Sequence, residues 1–389
     1  MVKRALMEHL ESSLIEQRHY LHSHPEVGFN LSNTHDYVET ILKSLNIKVI
    51  SHVGINSLIG IIENGPGPVI GLRADMDALP MNEENPSLSY CSKVPGAMHA
   101  CGHDAHTAIL LTAAHYLSTH QNLWQGTVKL IFQEAEEGPM PGGADGIIKS
   151  GYVDDVDVFF GLHCGPQFDS GTFAIKAGPA MASADTIKIK LIGKGSHAAY
   201  PHLGIDPVLM QAEVIVALQS IVSRQIDPTE NCVITIAQVH AGSTHNVIPE
   251  SAFMEGTVRT FNPSIRKQIA IAIEATVKSV TDRHGASYEF EYEYGYDALI
   301  NQSEPTDYLK KIVLKVFGDP AMIELKKPSM GAEDFSKYII HKTGCLVWLG
   351  TKKDSNTAYG LHHPHFNVDE HALLNGAVLF VNLVTEYKK

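Results

Sequence analysis

Predicted strands in this chain end repeatedly in side chains that can bind a metal ion. Four apolar runs are typical of strands and one small-residue stretch is typical of a helix: strands at 57–62, 68–73, 127–133 and 158–162, and the helix at 106–117. Strands that alternate with helices predict a mostly parallel α/β sheet. Asp75, Glu136, Glu137 and His163 follow the strand ends, where the ligands of such sheets gather. The pattern therefore predicts a fold class and the edge at which a site would form.

The run of residues 98–106, Met-His-Ala-Cys-Gly-His-Asp-Ala-His, carries the densest set of donors. Cys101 and His103 can face one pocket only if the backbone turns sharply between them, and Gly102 permits that turn. The remaining donors are Glu136, Glu137, His163, His362, His363 and His365. Thiolate, imidazole and carboxylate together bind divalent ions such as zinc. We therefore expect a site for two divalent ions, with hydrolysis as the leading hypothesis.

Glu136 and Glu137 follow an apolar strand and precede a loop rich in Gly and Pro at 138–143. Adjacent residues of an extended segment point to opposite faces, so we expect separate roles for the two carboxylates. One can bind metal while the other acts as a general base toward water and then as an acid toward a leaving amine. The competing interpretation is a solvated acidic strand end.

Asp75 and Asp77 follow the strand at 68–73. A carboxylate in this position can orient a ligating imidazole or thiolate. A polar turn is the competing interpretation. His106, three residues beyond His103, is interpreted as a supporting residue.

The middle third of the chain changes to an alternation of polar and apolar residues that is typical of half-exposed strands. Its predicted elements have the order β-α-β-β-α-β: strand 186–191, helix 206–225, strands 232–239 and 253–260, helix 264–283 and strand 287–296. This order is typical of a ferredoxin-like α+β module. Because the donor clusters resume only near the C-terminus, we interpret the module as a domain inserted at 184–296 into a metal-binding domain of residues 1–183 and 297–389.

Three polar residues of this module are candidates for contact with a substrate. His197 follows the flexible pair Gly195-Ser196, and its imidazole can stabilise the oxyanion of a tetrahedral intermediate. Arg259 presents a planar fork that matches a carboxylate, and Asn246 belongs to the same module. Each can equally be a surface residue without a special role.

The composition of the chain limits the classes of binding partner and the cellular compartment that we expect. The net charge of −13 argues against nucleic acid, because a phosphate backbone needs a basic surface. No stretch reaches the ~18 consecutive apolar residues of a membrane span; the run at 372–384 comes closest, but Asn375, Gly376 and Asn382 interrupt it. With no apolar signal core after the basic N-terminus, we expect no membrane partner and a cytoplasmic location. Five scattered cysteines do not resemble a disulfide framework.

Seven segments together resemble the aminoacylase-like superfamily of dinuclear metallopeptidases, most closely its amidohydrolase branch with the hippurate hydrolases and the indole-acetyl-amino-acid hydrolases. The segments are 71–80 (GLRADMDALP), 98–106 (MHACGHDAH), 136–138 (EEG), 161–163 (GLH), 195–201 (GSHAAYP), 330–335 (MGAEDF) and 361–366 (LHHPHF). They occur in the family's order across nearly the whole chain. Family members commonly have Pro where this chain has Glu134, and we expect this extra carboxylate to alter the surroundings of the metals.

The resemblance implies a role for each matching side chain. The implied metal ligands are Cys101, His103, Glu137, His163 and His362, with Cys101 bridging two ions. Glu136 would be the general base and Asp75 an orienting carboxylate. His362 rather than His363 corresponds to the family's ligand. The implied substrate and oxyanion residues are His197, Asn246 and Arg259 of the inserted lid, with His197 acting across a dimer interface, together with Gly331.

The resemblance also implies a fold, an activity and partners. The fold is a catalytic domain with an inserted lid, and the chain would form a homodimer or a larger homo-oligomer. The activity is removal of an acetyl or similar acyl group from N-acyl amino acids by a metal-bound water, with Glu136 as general base. Manganese or zinc is the expected metal, with cobalt and nickel as further candidates.

Three other functions fit parts of the same pattern. A metallo-aminopeptidase or dipeptidase acting on free short peptides would use the same metals, and it would need an acidic group near the free amine of its substrate. A catalytically silent metal-binding or peptide-binding protein would not depend on Glu136. A thiol enzyme with Cys101 as nucleophile would survive chelation and be inactivated by alkylation.

Overall fold

A computed structural model of the protein describes residues 1–388, which form two compact units. The first unit comprises Met1–Ala180, Ile300–Lys327 and the chain from Asp334 onward, and the second comprises Met181–Leu299 and Pro328–Glu333. The insertion predicted at 184–296 has bounds close to those of the larger segment of the second unit. Its role as an inserted lid domain stays a prediction. The segment Pro328–Glu333, which contains Gly331, groups with the second unit.

The helices and strands are numbered in chain order. The helices are α1 (Glu11–Ser23), α2 (Ser32–Ser44), α3 (His103–Thr119), α4 (Gly143–Lys149), α5 (Pro207–Ser220), α6 (Pro263–His284), α7 (Ser303–Phe317), α8 (Ser336–Ile339) and α9 (Glu370–Thr385). The strands are β1 (Lys48–Val53), β2 (Ser57–Asn64), β3 (Val69–Asp75), β4 (Gly126–Gln133), β5 (Val158–Asp169), β6 (Phe173–Ile175), β7 (Gly178–Met181), β8 (Asp185–Ile192), β9 (Ser196–His197), β10 (Cys232–Ala241), β11 (Val247–Ile248), β12 (Ser251–Thr260), β13 (Ser287–Glu293), β14 (Leu299–Asn301), β15 (Met322–Glu324) and β16 (Thr343–Lys352).

The first unit is built on a sheet of eight strands in the order β1-β2-β4-β3-β5-β16-β6-β15. The neighbouring strands β4, β3, β5 and β16 run parallel to one another. Antiparallel pairs join β1 to β2, β2 to β4 and β16 to β6. The apolar runs form the parallel strands because both faces of this part of the sheet are covered, and every residue of β3 after Val69 is buried. The predicted α/β fold with a mostly parallel central sheet is confirmed.

Helix α3 lies in the core of the first unit and begins at a predicted metal ligand. It contacts α1, α9 and strand β3, and nearly all of its residues are buried, including Leu110 and Leu111. Burying one such leucine side chain stabilises the fold by about 1.5–3 kcal/mol. Because His103 is the first residue of α3, the packing of this helix also fixes the position of His103.

Helix α9 contains the run that comes closest to a membrane span in the sequence. Its polar interruptions have packing roles: Asn382 is buried and exchanges hydrogen bonds with the backbone N–H and C=O of Val2. A Cβ at Gly376 would meet Ile109 and Leu162 at 3.0–3.2 Å, so glycine allows the close approach of these neighbours. Among the described residues, the helices are all too short or too polar to pass through a bilayer.

The second unit contains an antiparallel sheet in the order β10-β12-β8-β13 and the helices α5 and α6. Along the chain its main elements run β8-α5-β10-β12-α6-β13, which is the predicted β-α-β-β-α-β order. Buried and partly exposed residues alternate along β8, because one face of the sheet joins a core with Val214 of α5 and Ile273 of α6. Asp206 caps α5 and accepts from the N–H groups of Val208 and Leu209.

Candidate metal centre

The turn at residues 101–103 places two donors at the start of α3. Gly102 precedes the helix with φ of +91°, a conformation that favours glycine. A Cβ at Gly102 would lie 3.0 Å from the Cβ and 3.2 Å from the Sγ of Cys164, so the position also requires the absence of a side chain. Cys101 and His103 are both buried. The turn inferred from Gly102 is therefore present, and it holds both donors in the interior of the first unit.

Four groups of donors include Cys101 or His103, each with its atoms within 4.8 Å of one another. Three of them consist of predicted ligands and the predicted base: Cys101–His103–His163, Cys101–Glu137–His362 and His103–Glu136–Glu137; the fourth is Asp75–His103–His106. Cys101 belongs to the first two groups, as expected of a ligand that two ions would share. The first unit thus brings together all five predicted ligands and the predicted base.

The His163 side chain is held in the form that binds a metal. Its Nδ1 donates to the carbonyl oxygen of Cys164 over 2.8 Å, so its Nε2 carries the lone pair and lies 3.5 Å from Cys101 Sγ. Burial of the ring lowers the pKa of His163 well below its usual value, and the charge of the nearby His106 lowers it further. The ring of Trp348 packs 4.7 Å from that of His163. A neutral imidazole with one nitrogen fixed in this way is a ready metal ligand.

The His103 side chain leaves its second nitrogen without a hydrogen bond. Nδ1 lies 3.3 Å from Asp77 Oδ1, whereas the buried Nε2 has no hydrogen-bond partner among the described residues. Burial alone would lower the pKa of His103, but the charges of Asp75 and Asp77 outweigh it and raise this pKa to about 10. A metal ion at Nε2 would take the place of that proton, so metal uptake at this site releases a proton.

Negative charge accumulates around Cys101. Burial, with the charges of Glu137 and Glu136, raises the pKa of the Cys101 thiol well above its usual value. A divalent cation supplies the positive charge that turns such a thiol into a thiolate ligand. The donor set, the His103 Nε2 that makes no hydrogen bond and faces the carboxylates of Asp75 and Glu136, and this charge balance all fit a bound divalent metal. The same raised pKa disfavours Cys101 as a free nucleophile.

Asp77 organises three members of the donor set. The sequence placed it beside Asp75 as a carboxylate that can orient a ligand, and the resemblance then gave that role to Asp75. Its two carboxylate oxygens accept from the backbone N–H groups of Glu136 and Glu137, each over 3.0 Å, and Oδ1 also faces His103 Nδ1. Asp77 belongs to the same motif as Asp75, and that motif is the only sequence signal that pointed to it. The carboxylate of Asp77 therefore fixes the backbone of Glu136, the backbone of Glu137 and the ring of His103.

Replacing Asp77 with asparagine is expected to weaken metal binding by about 10- to 100-fold, because partners that orient metal ligands typically contribute that much. The amide has one oxygen for two backbone donors, and its NH₂ group would face an N–H. Metal retained after a graded chelator challenge measures the effect. Asp206→Asn is the matched control, since Asp206 also accepts from two backbone N–H groups but at the start of α5. Equal metal retention in the two variants would contradict the role given to Asp77.

Asp75 lies next to the donor set and is held by a buried arginine. Its Oδ2 accepts from Arg73 Nη1 over 2.7 Å, and its Oδ1 lies 2.6 Å from His106 Nδ1. Burial opposes its charge, but Arg73 and the neighbouring histidines hold the pKa of Asp75 well below its usual value. His106 Nε2 in turn accepts from the N–H of Cys164 over 2.8 Å. Asp75 therefore orients His106, as a supporting carboxylate would.

The second partner of Arg73 comes from the segment 330–335. Arg73 Nη2 donates to Asp334 Oδ1 over 2.7 Å, and Asp334 Oδ2 accepts from the N–H of Ala144 over 3.1 Å. Sequence reasoning gave Asp334 no role, although it lies in a motif that carried the resemblance. Asp334 thus links strand β3 to the start of α4, and it also accepts from Gln133 at the end of β4, so it contacts both sides of the loop that carries Glu136.

Glu136 and Glu137 do not lie on an extended strand. Strand β4 ends at Gln133, and Ala135 adopts a left-handed conformation with φ of +50°. The chain bends at Glu136 and Glu137, and both carboxylates reach the group that contains His103. The expectation that the two side chains point to opposite faces was wrong, because it assumed an extended backbone.

Glu134 is turned away from the donor set. Its carboxylate accepts from the N–H groups of Ile55 and Asn56, and its own N–H donates to Ser57 Oγ over 3.0 Å. Glu134 therefore anchors the loop before β2. Its hydrogen bonds do not reach the donor set, although burial, with a contribution from the charge of Asp77, raises the pKa of Glu134. The expected effect of Glu134 on the surroundings of the metals stays a prediction.

His362 completes the donor set from a distant part of the chain. It adopts φ of +63°, its N–H donates to the carbonyl of Ala100 over 2.8 Å, and its Nε2 lies 3.0 Å from Glu137 Oε1. His363 instead stacks on Tyr359, with ring centroids 4.6 Å apart. Of the two adjacent histidines, His362 belongs to the donor group.

The predicted substrate residues lie in the second unit. His197 and Asn246 are close together, because β9 pairs with β11 and the N–H of Ala198 donates to the carbonyl of Asn246 over 3.0 Å. Arg259 lies on β12, where it donates to Thr257 Oγ1 and where burial lowers its pKa. The carbonyl of Gly331 accepts from the N–H of Ala182 over 2.9 Å. Their contact with a substrate stays a prediction.

Comparison with known proteins gives consistent matches over most of the chain. Residues 71–386 match the model of peptidase family M20/M25/M40. An N-acyl-L-amino acid amidohydrolase of Geobacillus stearothermophilus is 42% identical over 304 residues, covering 78% of this chain and 81% of that protein. Thermostable carboxypeptidase 1 of Saccharolobus solfataricus is 37% identical over 382 residues, covering 97% of this chain and 96% of that protein.

A solved structure gives the same result. The Bacillus subtilis YXEP protein, described as a dinuclear metal binding peptidase from the M20 family, has a TM-score of 0.84 and 32% identity, with 97% of this chain and 98% of that chain covered. The matched residues 71–386 include every donor of the metal centre. The chain belongs to peptidase family M20/M25/M40. The resemblance to dinuclear metallopeptidases of the aminoacylase type is confirmed.

Proposed function

We propose that this protein is a metal-dependent amidohydrolase that releases the amino acid from N-acyl amino acids. The observation that carries the proposal is the donor set, in which two groups share Cys101 and Glu136 lies beside them. Cys101, His103 and His163 are buried, whereas His362 is exposed. A relative that is 42% identical acts, by its name, on N-acyl-L-amino acids. The proposal assigns the same class of linear amide bond to this chain.

Two divalent ions are proposed, held by the groups Cys101–His103–His163 and Cys101–Glu137–His362. Thiolate and imidazole favour zinc, whereas the added carboxylates are also suitable for manganese, cobalt or nickel. When bound, such ions polarise a carbonyl group and lower the pKa of water. We propose manganese or zinc as the working metal.

Glu136 is proposed as the general base. It is 6% exposed, and its Oε2 lies 3.9 Å from the Nε2 of His103, so its carboxylate borders the donor set and is shielded from bulk water. From there it can take a proton from the attacking water and deliver that proton to the amide nitrogen as the C–N bond breaks. Glu136 therefore begins and ends the reaction as a carboxylate.

The second unit is proposed as the lid that supplies contacts to the substrate. Arg259 has a planar fork suited to the free carboxylate of the amino-acid half. His197 and Asn246, which lie close together, are proposed as donors to the oxyanion, and Gly331 as a backbone contact. The homodimer and the cytoplasmic location stay predictions.

A carboxypeptidase is the second candidate function. The observation that favours it is the relative from Saccharolobus solfataricus, a carboxypeptidase that matches nearly the whole chain. Both substrates have a free carboxylate next to the scissile amide, and they differ only in the size of the acyl side. The aminopeptidase or dipeptidase alternative differs more, because it requires a free amine.

The test is amine release from a matched panel after chelation and after addition of manganese or zinc. The panel contains N-acetyl and N-benzoyl amino acids, the same compounds with the carboxylate blocked as an amide, N-blocked dipeptides, and free dipeptides. We expect metal-dependent release from the N-acyl amino acids and at least about 10-fold slower release when the carboxylate is blocked, the size of one lost charged hydrogen bond.

Other outcomes separate the alternatives. Faster release from N-blocked dipeptides than from N-acyl amino acids would favour a carboxypeptidase. Hydrolysis of free dipeptides alone would contradict the proposal in favour of a dipeptidase. No turnover with either metal would point to a silent metal-binding protein, and turnover that survives complete chelation would point to thiol chemistry.

A further inference from the structure

Arg18 is a fully buried arginine on α1 that the proposed reaction does not use. Its side chain contacts two stretches of chain that each follow a predicted metal ligand. Asp104 directly follows His103, and Asn367 stands five residues after His362. Burial of an arginine is costly unless its charge is paired and its N–H groups are hydrogen-bonded. The fold of the first unit therefore depends on these contacts.

One edge of the guanidinium holds the start of α3. Arg18 Nε donates to Asp104 Oδ2 over 3.0 Å, and His22 Nδ1, one turn later on α1, lies 2.9 Å from the same oxygen. Asp104 is in the first turn of α3. Helix α1 therefore fixes the end of α3 that carries His103.

The other edge holds the chain that enters α9. Arg18 Nη2 donates to Asn367 Oδ1 over 2.9 Å, and Nη1 donates to Glu370 Oε1 over 2.6 Å. The Tyr90 hydroxyl reinforces this edge, since it accepts from Arg18 Nη1 over 3.3 Å and lies 3.4 Å from Asn367 Oδ1. One guanidinium group thus holds Asp104 and Asn367 at a fixed separation.

The segment between His362 and Asn367 connects the contact of Arg18 with Asn367 to the proposed metal ligand His362. At its start, the N–H of His362 donates to the carbonyl of Ala100. Near its end, the ring of Phe366 packs 3.5 Å from the position that a Cβ of Gly102 would occupy. The segment is therefore confined between the turn that carries Cys101 and the side chain of Arg18.

We propose that Arg18 is a positioning residue that sets where His362 stands relative to Cys101 and His103. The planar fork of an arginine is rigid and can hold partners on both edges, whereas the single ammonium of a lysine cannot. The inference rests on the proposed two-ion function. It predicts that loss of the contact with Asn367 weakens one of the two metal sites selectively.

Asn367→Ala tests this inference, because it removes one acceptor and leaves the contacts of Arg18 with Asp104 and Glu370. Chelated protein is titrated with Mn²⁺ in a calorimeter, and the thermal midpoint is recorded without metal. We expect one binding event to weaken by about 10- to 100-fold, the usual contribution of a group that orients a ligand. The other binding event should be unchanged. The metal-free thermal midpoint should fall by a few degrees, because one N–H group of a buried arginine loses its acceptor. Arg18→Lys should give the same selective loss, since it keeps a charge for Asp104 but lacks the fork.

Asn375→Ala is the matched control. Asn375 accepts from Arg4 Nη1 over 2.8 Å, which is the same kind of contact, and it lies on α9 itself. We expect this variant to bind both ions like the wild type. An equal loss in Asn375→Ala and Asn367→Ala would overturn the inference, because the effect would then come from α9 in general.

A double-mutant cycle with His362→Asn gives the sharpest result. If Arg18 acts through His362, Asn367→Ala adds nothing to the loss caused by His362→Asn, because the ligand that it positions is gone. Additive losses, or wild-type binding of both ions by Asn367→Ala, would overturn the inference. A wild-type protein that binds neither Mn²⁺ nor Zn²⁺ would overturn the proposed function itself, so the two failures are distinguishable.

Discussion

Replacing Glu136 with glutamine is expected to lower kcat for N-acyl amino acids by about 10²- to 10⁴-fold, the usual contribution of a positioned general acid–base group. Glutamine keeps the size of the side chain and the backbone bond from Glu136 N–H to Asp77, but it cannot accept the proton of the attacking water. KM should change little, because the substrate contacts are proposed for other residues. Steady-state kinetics on protein of measured metal content give the result.

Glu134→Gln is the matched control for this prediction. Glu134 lies two residues away, but its carboxylate accepts from the backbone N–H groups of Ile55 and Asn56 and not from the donor set. The amide has one oxygen for two donors, so we expect a loss of about 1–3 kcal/mol in the free energy of unfolding with kcat of the folded protein retained. If Glu136→Gln keeps most of its activity, or fails only because it has lost metal, Glu136 is not the base.

The tendency of binding residues to lie at the carboxyl ends of parallel strands explains how much of the site could be predicted from the sequence. Asp75 ends β3, and Glu136 and Glu137 follow β4, which is a parallel neighbour of β3. His163 does not follow a strand end as predicted, because β5 continues to Asp169; Arg73 pairs with Gly161, so His163 is still level with Asp75. Because parallel strands present their carboxyl ends at one edge of the sheet, donors that are distant in sequence are brought to the same edge. The turn at Gly102 was visible for a similar reason, since two donors separated by one glycine have few other ways to converge.

The sequence did not predict the backbone at Ala135. The apolar run through Gln133 gives no sign that the chain leaves the extended conformation two residues later, and a positive φ at alanine has no local signal. The chain then bends at Glu136 and Glu137, and both carboxylates face the same group. Their N–H groups donate to Asp77 rather than to Asp75.

Contacts between distant segments could not be predicted from the sequence either. Arg18 lies on an ordinary helical segment near the N-terminus, and only the packing of α1 against α3 and α9 brings it to Asp104 and Glu370. Local patterns describe which face of a helix is buried, but not which polar group it will meet there. The parts of the site that escaped prediction are those that depend on this long-range packing.

Replacing Cys101 with serine is expected to remove both metal ions. Cys101 is shared by two donor groups, whereas His163 and His362 each belong to only one of them. A serine hydroxyl is a much poorer ligand than a thiolate for zinc and related ions. We expect both affinities to fall by more than about 100-fold, because even groups that merely orient ligands contribute 10- to 100-fold. Elemental analysis after dialysis against buffered Zn²⁺ measures the ions retained, and amine release should fall with them.

The comparison of three variants decides whether Cys101 is a bridge or a nucleophile. As a bridge, Cys101→Ser loses both ions, while His163→Asn and His362→Asn each lose one. As a nucleophile, Cys101→Ser would keep both ions and still be inactive at saturating metal. The surroundings of the thiol favour the bridge: burial and the charges of Glu137 and Glu136 raise its pKa well above the usual range, so it becomes a thiolate only beside a cation. The carboxylates that disfavour a free thiolate at this position are the same groups that favour binding of divalent ions.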